Sequence, residues 1–563
     1  MSYDLVITNG TVVDGTGSAR FKADVAVKGG SVAAIGRISG PAGTTIDAAG
    51  KIVCPGFVDP HTHYDAQITW DRVLSSSAEH GVTTVVMGNC GVGLAPCRPA
   101  HRDMLTDDLV TVEGIDKEVL VEGVKWDWET FPQYLDAAER RGSALNLAFL
   151  APITPLRTYV LGAEANERAA TPAETQQIAG MLSDAMQAGA WGFTTTASRQ
   201  HIGHGGKPLA ARLASRDELG AYAGVLKQCQ RGIIELALTK RYAELADDEE
   251  ELLSFLLDAS ERPVTWLSLH NLIEKPNEIN NILDRVAPLI KRRALPQILT
   301  RPLLYDMNLR RPFMFTEMIS AKNVFDASFE TQMAIYADQQ FRTAFKDELK
   351  LGRKWAGLAQ NITIVSVENA ALKQYQGMTV GEVAQLRGAD ADDTFFDIAV
   401  EDQLQVKYVV PRANTDKPAL AQALADSRTL IGLSDAGAHL DMLCESGYTT
   451  YLLGHWVREQ KAMSLERAIQ RITSEPADFF GIKRGRLEQG AAADIVVFDE
   501  QKINSPQRPT PVKDLPAGGT RLYAKAEGIS QVIVNGAVLF EHGKHTGATP
   551  GRVLRSTETM WAG

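Results

Sequence analysis

The chain has 563 residues and a formal net charge of −11, with 58 lysines and arginines against 69 aspartates and glutamates. Its length predicts two to four domains, and its 44% hydrophobic content is typical of a globular protein with a large core. The acidic balance argues against a nucleic-acid partner, which needs a basic face. No apolar stretch is long enough to cross a bilayer, which argues against a membrane partner.

Five cysteines without paired spacing indicate a reducing compartment. The first four residues, Met-Ser-Tyr-Asp, lack the basic and apolar regions of a signal peptide. We therefore expect a cytoplasmic enzyme with a small-molecule substrate, and the sequence leaves open whether it forms a homo-oligomer.

The two ends of the chain share a pattern of short strands and turns. Asn9-Gly10 and Gly29-Gly30 are hairpin signals between apolar runs, and Asn535-Gly536 is another near the far end. Each set of strands would be marginal alone. We predict one composite β-domain, a small β-sandwich, from residues 1–55 and 485–545, followed by a C-terminal tail over 546–563.

Between the ends, residues 56–484 alternate apolar strand-like runs with helical segments. Capping boxes begin helices at Thr171 and Ser215, and the first helix should end near Gly189. Eight runs are candidate parallel strands: residues 52–58, 83–87, 145–150, 191–196, 233–238, 264–269, 297–300 and 429–434. The alternation predicts an α/β fold, a (β/α)₈ TIM-like barrel with its active site at the C-terminal ends of the strands.

Two connections are too long for single barrel loops, residues 97–143 and 305–428. The second holds several helical segments, one of them opened by a capping box at Thr379. Long ordered loops at a barrel mouth usually shape substrate binding. We expect the second insertion to cover the mouth.

His61 and His63 close the first of these apolar runs. Alternate residues of a strand share a face, so the two imidazoles should project side by side. Such a pair can chelate one metal ion. Two surface histidines beyond a strand are the alternative, but the buried run and the nearby aspartates favour a metal site.

Three further residues at strand ends are candidate metal ligands. Cys90 lies in a glycine-flanked turn, where a thiolate can approach an ion, although free cysteine is also a common core residue. Asp435 ends the last run and could bind the ion while acting as general base and then general acid; a helix N-cap is the alternative. His270 ends the sixth run and is a third candidate.

Candidate substrate contacts lie on two loops. His201 and His204 follow the fourth run in a glycine-rich loop, where substrate contact and an ordinary surface role are equally compatible with the pattern. Arg157 could bind a substrate carboxylate bidentately, and a solvated loop arginine is the alternative.

Together these features resemble the amidohydrolase superfamily of metal-dependent hydrolases, in its N-acyl-D-amino-acid deacylase branch. The resemblance spans nearly the whole chain and is carried by these motifs: PGFVDPHTH (residues 55–63), GNCGVG (88–93), WDWETF (126–131), GLSD (432–435), AADIVVF (492–498) and PGRVLR (550–555). It implies a site of one or two divalent ions, with zinc expected, held by the HxH pair, the late aspartate and the residue at Cys90.

The chain departs from that branch on two strands. The fifth run has no histidine, and His270 on the sixth is displaced by one residue, which reverses a side chain's direction on a strand. The leading hypothesis is hydrolysis of an amide-type C–N bond, most simply in an N-acyl-D-amino acid, with Asp435 moving the proton. A cyclic-amide hydrolase is one alternative, against which residues 191–196 lack the usual fourth-strand lysine. A catalytically lapsed barrel that binds an acyl or amino-acid ligand is the other.

Overall fold

A computed structural model describes residues 2–238, 243–272, 275, 277–310, 312, 315, 318–325, 327–350, 359–506 and 508–558. The chain divides into two compact units. The larger unit comprises residues 1–270, 275–301 and 417–563, and the inserted unit comprises 271–274 and 302–416. Within the described residues, no helix combines the length and hydrophobicity that a bilayer span requires.

Nine strands from the two ends of the chain form one sheet in the larger unit. They are β1 (Tyr3–Val12), β2 (Phe21–Lys28), β3 (Ser31–Gly36), β4 (Ala42–Asp47), β5 (Ile52–Pro55), β18 (Ile495–Phe498), β21 (Ile529–Val534), β22 (Ala537–Glu541) and β23 (Lys544–His545). The order is β23-β22-β21-β18-β5-β1-β2-β3, with β4 beside β1. The two chain ends meet where β5 pairs antiparallel with β18. The domain boundaries and the sandwich arrangement stay predictions.

Local sequence explains much of this chain-end sheet. The β21–β22 hairpin turns on Asn535 and Gly536, which both have positive φ, as a type I′ turn requires. Ile7, Val53 and Ile495 are buried in one apolar cluster, so both ends of the chain contribute to the same core.

Ten further strands form two parallel sheets in the same unit. One has the order β24-β8-β7-β6, and the other β17-β13-β12-β11-β10-β9. Their bounds are β6 (Phe57–Thr62), β7 (Val82–Met87), β8 (Asn146–Phe149), β9 (Ala151–Pro152), β10 (Gly192–Thr196), β11 (Ile233–Ala237), β12 (Val264–Leu269), β13 (Ala294–Ile298), β17 (Leu430–Ile431) and β24 (Val553–Leu554). The strand β24 places part of the predicted C-terminal tail beside β8; residues 559–563 of that tail lie outside the described ranges.

Backbone contacts link the two parallel sheets on both sides. Only Leu150 separates β8 from β9, and its N–H donates to the Met87 carbonyl. On the other side, Thr62 forms a parallel bridge with Ala436, and the His63 N–H donates to the Ala436 carbonyl. The fold is therefore α/β, with two parallel sheets in the larger unit, and the eight-stranded barrel stays a prediction.

The first and last predicted strands of the parallel series differ from the structure. The run 52–58 is not one strand: it divides at Gly56 into β5, in the chain-end sheet, and β6, in a parallel sheet. A Cβ at residue 56 would lie 2.1 Å from Thr83 Oγ1, so only glycine fits there. The run 429–434 shortens to β17 because Leu433 and Asp435 adopt positive φ.

Helices follow most of the parallel strands. They are α4 (Ile153–Leu161), α5 (Pro172–Ala188), α6 (Arg216–Cys229), α7 (Asp247–Ser260), α8 (Glu278–Arg285), α9 (Ala287–Ile290), α14 (Lys417–Ala425), α15 (Tyr448–Tyr451), α16 (Leu465–Ile472) and α17 (Ser474–Phe480). Thr171 and Ser215 cap α5 and α6 as predicted, and α5 ends at Gly189 in the left-handed conformation.

The predicted insertion at 97–143 folds as three helices of the larger unit: α1 (Arg102–Glu113), α2 (Lys117–Gly123) and α3 (Phe131–Arg141). Two hydrogen bonds connect these helices to residues before the insertion: Trp128 Nε1 donates to the Leu94 carbonyl, and the Tyr134 hydroxyl donates to the Asp65 carbonyl. A two-stranded hairpin, β19 (Thr510–Val512) and β20 (Arg521–Tyr523), completes the described strands of this unit.

The inserted unit has a three-stranded antiparallel sheet, β14 (Leu303–Met307), β16 (Lys407–Ala413) and β15 (Thr363–Ser366) in that order. Its helices in the described residues are α10 (Phe329–Ala337), α11 (Gln339–Lys350), α12 (Val380–Arg387) and α13 (Ala391–Glu401). The capping box at Thr379 begins α12 as predicted. Its own core includes the packed rings of Tyr336, Phe345 and Phe396. That this unit covers the site stays a prediction.

Candidate metal centre

His61 and His63 lie side by side at the C-terminal end of β6. Both are buried, and their Nε2 atoms are 3.2 Å apart. The strand position of His61 is fixed by Ser434, whose hydroxyl donates to the His61 carbonyl at 3.0 Å. The pair therefore points two nitrogen lone pairs at the same small volume.

Cys90 brings a thiol to the same place. Its Sγ lies 3.6 Å from His61 Nε2, and ligand atoms of His61, His63 and Cys90 all lie within 4.8 Å of one another. Cys90 has a φ of 58°, and the loop turns through Gly88, where a Cβ would lie 2.3 Å from the Leu150 carbonyl oxygen. The glycine is thus needed for the close approach of this loop to Leu150, between β8 and β9.

Asp435 lies beside the histidine pair. Its Oδ1 atom lies 3.3 Å from His61 Nε2 and 3.6 Å from His63 Nε2, and its side chain is 23% exposed. Atoms bound at about 2.0–2.3 Å to a tetrahedral zinc ion lie roughly 3.3–3.8 Å from each other. The distances from His61 Nε2 to Cys90 Sγ and to Asp435 Oδ1, and from His63 Nε2 to Asp435 Oδ1, fall in this range.

Two carboxyl groups that the sequence reasoning missed support the donors. Glu113, at the end of α1, lies with Oε1 3.3 Å from His63 Nδ1, the nitrogen on the far side of the ring. Glu235, on β11, accepts the backbone N–H of Cys90 with Oε2 at 2.8 Å. Glu113 gave no sequence signal, whereas Glu235 stands out as a charge inside an apolar run.

The electrostatics of this cluster favour a bound cation. Burial raises the pKa of each surrounding carboxyl group: to about 7 for Asp59, 6 for Asp65, 7 for Glu113 and 8 for Glu235. A divalent ion beside these carboxyl groups would favour their ionised forms and offset their negative charge.

His61, His63 and Asp435 affect one another's pKa values through their charges. Burial lowers the pKa of His61 to about 3. For His63, burial opposes the charged form, but Glu113 and Asp435 raise the pKa to about 9. Burial likewise opposes ionisation of Asp435, yet His63, whose Nε2 is 3.6 Å away, and the charges of the other histidines hold the pKa of Asp435 below the ordinary range. The Asp435 carboxylate is therefore ionised at neutral pH.

The remaining predicted residues lie in different places. His201 follows β10, contacts Thr196 Oγ1 through Nδ1 at 2.9 Å and interacts electrostatically with His63 and Asp435. His204 is 42% exposed and pairs with Asp107 at 2.9 Å. The structure brings His201 beside the metal-ligand set and leaves His204 on the surface.

Arg157 and His270 are not brought to the donor cluster. Arg157, on α4, is fully buried, forms an ion pair with Glu218 and donates to the Arg168 carbonyl at 2.7 Å. His270 Nε2 lies 2.7 Å from Ser268 Oγ, and within the described ranges His270 is outside the metal-ligand group of His61, His63 and Cys90.

Comparison with known proteins agrees with this combination of parallel strands and clustered donors. Residues 44–540 match the model of the amidohydrolase family. The chain therefore belongs to the amidohydrolase family, which confirms the resemblance read from its motifs.

Individual relatives lie in one branch of the family. The D-aminoacylase of Alcaligenes xylosoxydans xylosoxydans is 29% identical over 99% of this chain and 98% of its own length. The N-acyl-D-glutamate deacylase of the same organism is 28% identical over 98% and 96%. A solved structure is similar as well: the crystal structure of N-acyl-D-glutamate deacylase from Bordetella bronchiseptica, complexed with zinc and a phosphonate inhibitor. It aligns over 99% of this chain and 100% of its own chain, with a TM-score of 0.66 and 26% identity.

Proposed function

We propose that this chain is a metal-dependent hydrolase of the amide bond in N-acyl amino acids, with a preference for the D configuration. The observation that carries the proposal is the convergence of His61 Nε2, His63 Nε2, Cys90 Sγ and Asp435 Oδ1. The names of the relatives, which act on N-acyl-D-amino acids, support the substrate class.

The proposal includes the predicted barrel. The hydrogen bonds from β6 through the successive parallel strands to residue 436, and from there back to His63, support closure into eight strands. In such a barrel the site lies at the C-terminal ends of the strands, where β6 and β17 place the histidines and Asp435.

The donor set fits a site of one or two zinc ions. Nitrogen, sulfur and oxygen donors are those that zinc prefers, and the buried carboxyl groups around them supply the opposite charge. When bound, the ion supplies Lewis acidity, which polarises the scissile carbonyl and acidifies a water molecule.

Asp435 supplies the proton transfer. Its ionised carboxylate accepts, through the oxygen that does not bind the ion, a proton from the water that attacks the carbonyl carbon, and then gives that proton to the amine nitrogen as the C–N bond breaks. The products are a carboxylic acid and a free amino acid. His201, which interacts electrostatically with His63 and Asp435, is the predicted substrate contact that we assign to the acyl amide.

Metal analysis and an activity screen test the proposal together. We expect purified protein to contain about one or two equivalents of zinc, and to hydrolyse N-acyl-D-amino acids faster than their L enantiomers. His61→Ala should lose metal and activity, whereas His545→Ala, a histidine that contacts the Ala548 carbonyl in the chain-end sheet, should keep both. Equal turnover before and after complete removal of metal would contradict the proposal.

A further inference from the structure

The loop that follows β10 carries His201, and one side of this loop is fixed to its neighbours. The imidazole Nδ1 of His201 lies 2.9 Å from the hydroxyl of Thr196, the last residue of β10. The His201 carbonyl accepts the backbone N–H of Leu209 at 3.1 Å and Nη1 of Arg212 at 3.0 Å. These contacts connect His201 to β10 and to the segment that precedes α6.

Helix α1 holds the other side of the loop. Asp108, within α1, is 1% exposed and accepts the backbone N–H of His204 with Oδ1 at 2.7 Å. Asp107 Oδ2 lies 2.9 Å from the imidazole Nδ1 of the same histidine. That ion pair is open to solvent and contributes little, whereas a hydrogen bond to a buried carboxylate is stronger. Asp108 is therefore the stronger of these two polar contacts.

Asp108 supplies an acceptor from outside the loop. The backbone N–H groups of residues 201–203 donate to carbonyls within the segment 198–207. The N–H of His204 instead donates to a side chain that lies 96 residues earlier in the chain. Loops owe a single conformation to contacts of this kind, because their own backbone makes few regular hydrogen bonds.

The same helix reaches the candidate metal centre at its C-terminal end. Glu113, the last residue of α1, has Oε1 3.3 Å from His63 Nδ1. Its carbonyl accepts the backbone N–H of His439, in the segment that follows Asp435. Helix α1 therefore contacts a proposed metal ligand, the segment after Asp435 and the loop of His201, and it fixes their positions relative to one another.

We propose that Asp108 is a positioning residue, which holds the loop so that the His201 ring faces the substrate at the metal centre. This inference rests on the proposed function, because it takes His201 as a contact to the acyl amide. Asp108 acts through the His204 backbone and not by contact with the substrate. A shift of about 1 Å in a binding group can cost about 100-fold in rate, so loss of this hydrogen bond should weaken substrate binding.

Two substitutions of Asp108 test the role of its oxygen. Asp108→Ala removes the acceptor, whereas Asp108→Asn keeps an oxygen for the His204 N–H. Asp103→Ala changes an exposed residue of the same helix and is the matched control. We expect Asp108→Ala to raise KM for an N-acyl-D-amino acid by at least about 10-fold, with kcat changed by less than about 3-fold and zinc content unchanged. Asp108→Asn and Asp103→Ala should keep KM within about 3-fold of the wild type.

A double-mutant cycle shows whether the effect depends on His201. In protein that already carries His201→Ala, Asp108→Ala should raise KM by less than about 2-fold, because the group that it positions is gone. A purely structural role of Asp108 would instead raise KM equally in both backgrounds.

Amide hydrogen exchange of residues 199–208 is a readout that needs no substrate. Exchange should be at least about 10-fold faster in Asp108→Ala than in the wild type, and unchanged in Asp103→Ala. If Asp108→Ala does not fold, His204→Pro takes its place. It removes the same N–H from the loop side, at the first residue of a short helical turn, where proline fits.

The outcomes separate this inference from the proposed function. A wild-type KM in Asp108→Ala, with or without faster exchange, would overturn the positioning role and leave the proposed function intact. Full additivity with His201→Ala would also overturn it, because Asp108 would then act independently of His201. Wild-type protein without metal-dependent hydrolysis would instead refute the proposed function, and the exchange rates alone would then decide whether Asp108 anchors the loop.

Discussion

Oε1 of Glu113 lies 3.3 Å from Nδ1 of His63, so a helix of the 97–143 insertion reaches the back of an imidazole that we propose as a metal ligand. A carboxylate in this position fixes the ring orientation and leaves Nε2 as the free donor. The insertion thereby contributes a side chain to the candidate metal centre.

The Glu113–His63 contact can be tested by removing the charge alone. We expect Glu113→Gln to weaken zinc affinity by about 10–100-fold, because the imidazole loses the negative charge beside Nδ1. Glu122→Gln, an exposed residue on α2, is the matched control and should bind zinc as the wild type does. Isothermal titration of zinc into metal-free protein measures both, and equal affinities would show that Glu113 does not support His63.

Cys90 should be identifiable by spectroscopy as the sulfur donor. In cobalt-substituted protein, Cys90→Ser is expected to abolish the thiolate-to-metal absorption band and to lower metal affinity. Cys97→Ser replaces another buried cysteine, whose Sγ contacts the Arg98 carbonyl, and should keep the band. Persistence of the band in Cys90→Ser would mean that a different sulfur binds the ion.

We expect Arg157 to stabilise the folded protein. Its ion pair with Glu218 is fully buried, so Arg157→Met leaves an uncompensated carboxylate and should cost roughly 3–5 kcal/mol, seen as a lower Tm. Arg140→Ala, which breaks an exposed pair with Asp127, should change stability by less than about 1 kcal/mol. An unchanged Tm together with a raised KM for an N-acyl amino acid would instead support the predicted contact with a substrate carboxylate.

His80 should make the protein sensitive to acid. Its buried ring contacts the Ala524 carbonyl through Nε2, and burial lowers its pKa to about 4. The unfolded chain, with a histidine pKa of about 6.5, binds a proton that the folded protein resists. The stabilisation is therefore complete above pH 6.5 and is lost as the pH falls toward 4, by up to about 3 kcal/mol.

The contribution of His80 is isolated by substitution. His80→Gln keeps a donor toward the Ala524 carbonyl and removes the titrating ring. The Tm of this variant should fall less steeply between pH 6.5 and 4 than that of the wild type. Identical slopes would assign the acid sensitivity to other groups.

Local chemistry explains which features could be predicted. The histidine pair follows from strand alternation, and the capping boxes at Thr171, Ser215 and Thr379 involve residues only three apart. The break at Gly56 could not be predicted, because it depends on contact with Thr83 from the next parallel strand.

Among the site residues too, some could be predicted from the sequence and others could not. Cys90 and Asp435 could be proposed because each follows a recognisable strand. Glu113 could not, since the end of α1 meets His63 only after the insertion has folded back. Glu235 was visible as a charge in an apolar run, but its meaning depends on Cys90, which is 145 residues away in the chain.

Because β5 pairs with β18, the chain-end sheet can be completed only late in synthesis. The strand β5 ends at Pro55 and its neighbour begins at Ile495, so 440 residues must be synthesised before that edge can be covered. At about 5–20 residues per second, the first strands of the chain wait roughly 20–90 s with an open edge. The part of the protein that leaves the ribosome first is therefore among the last to be completed.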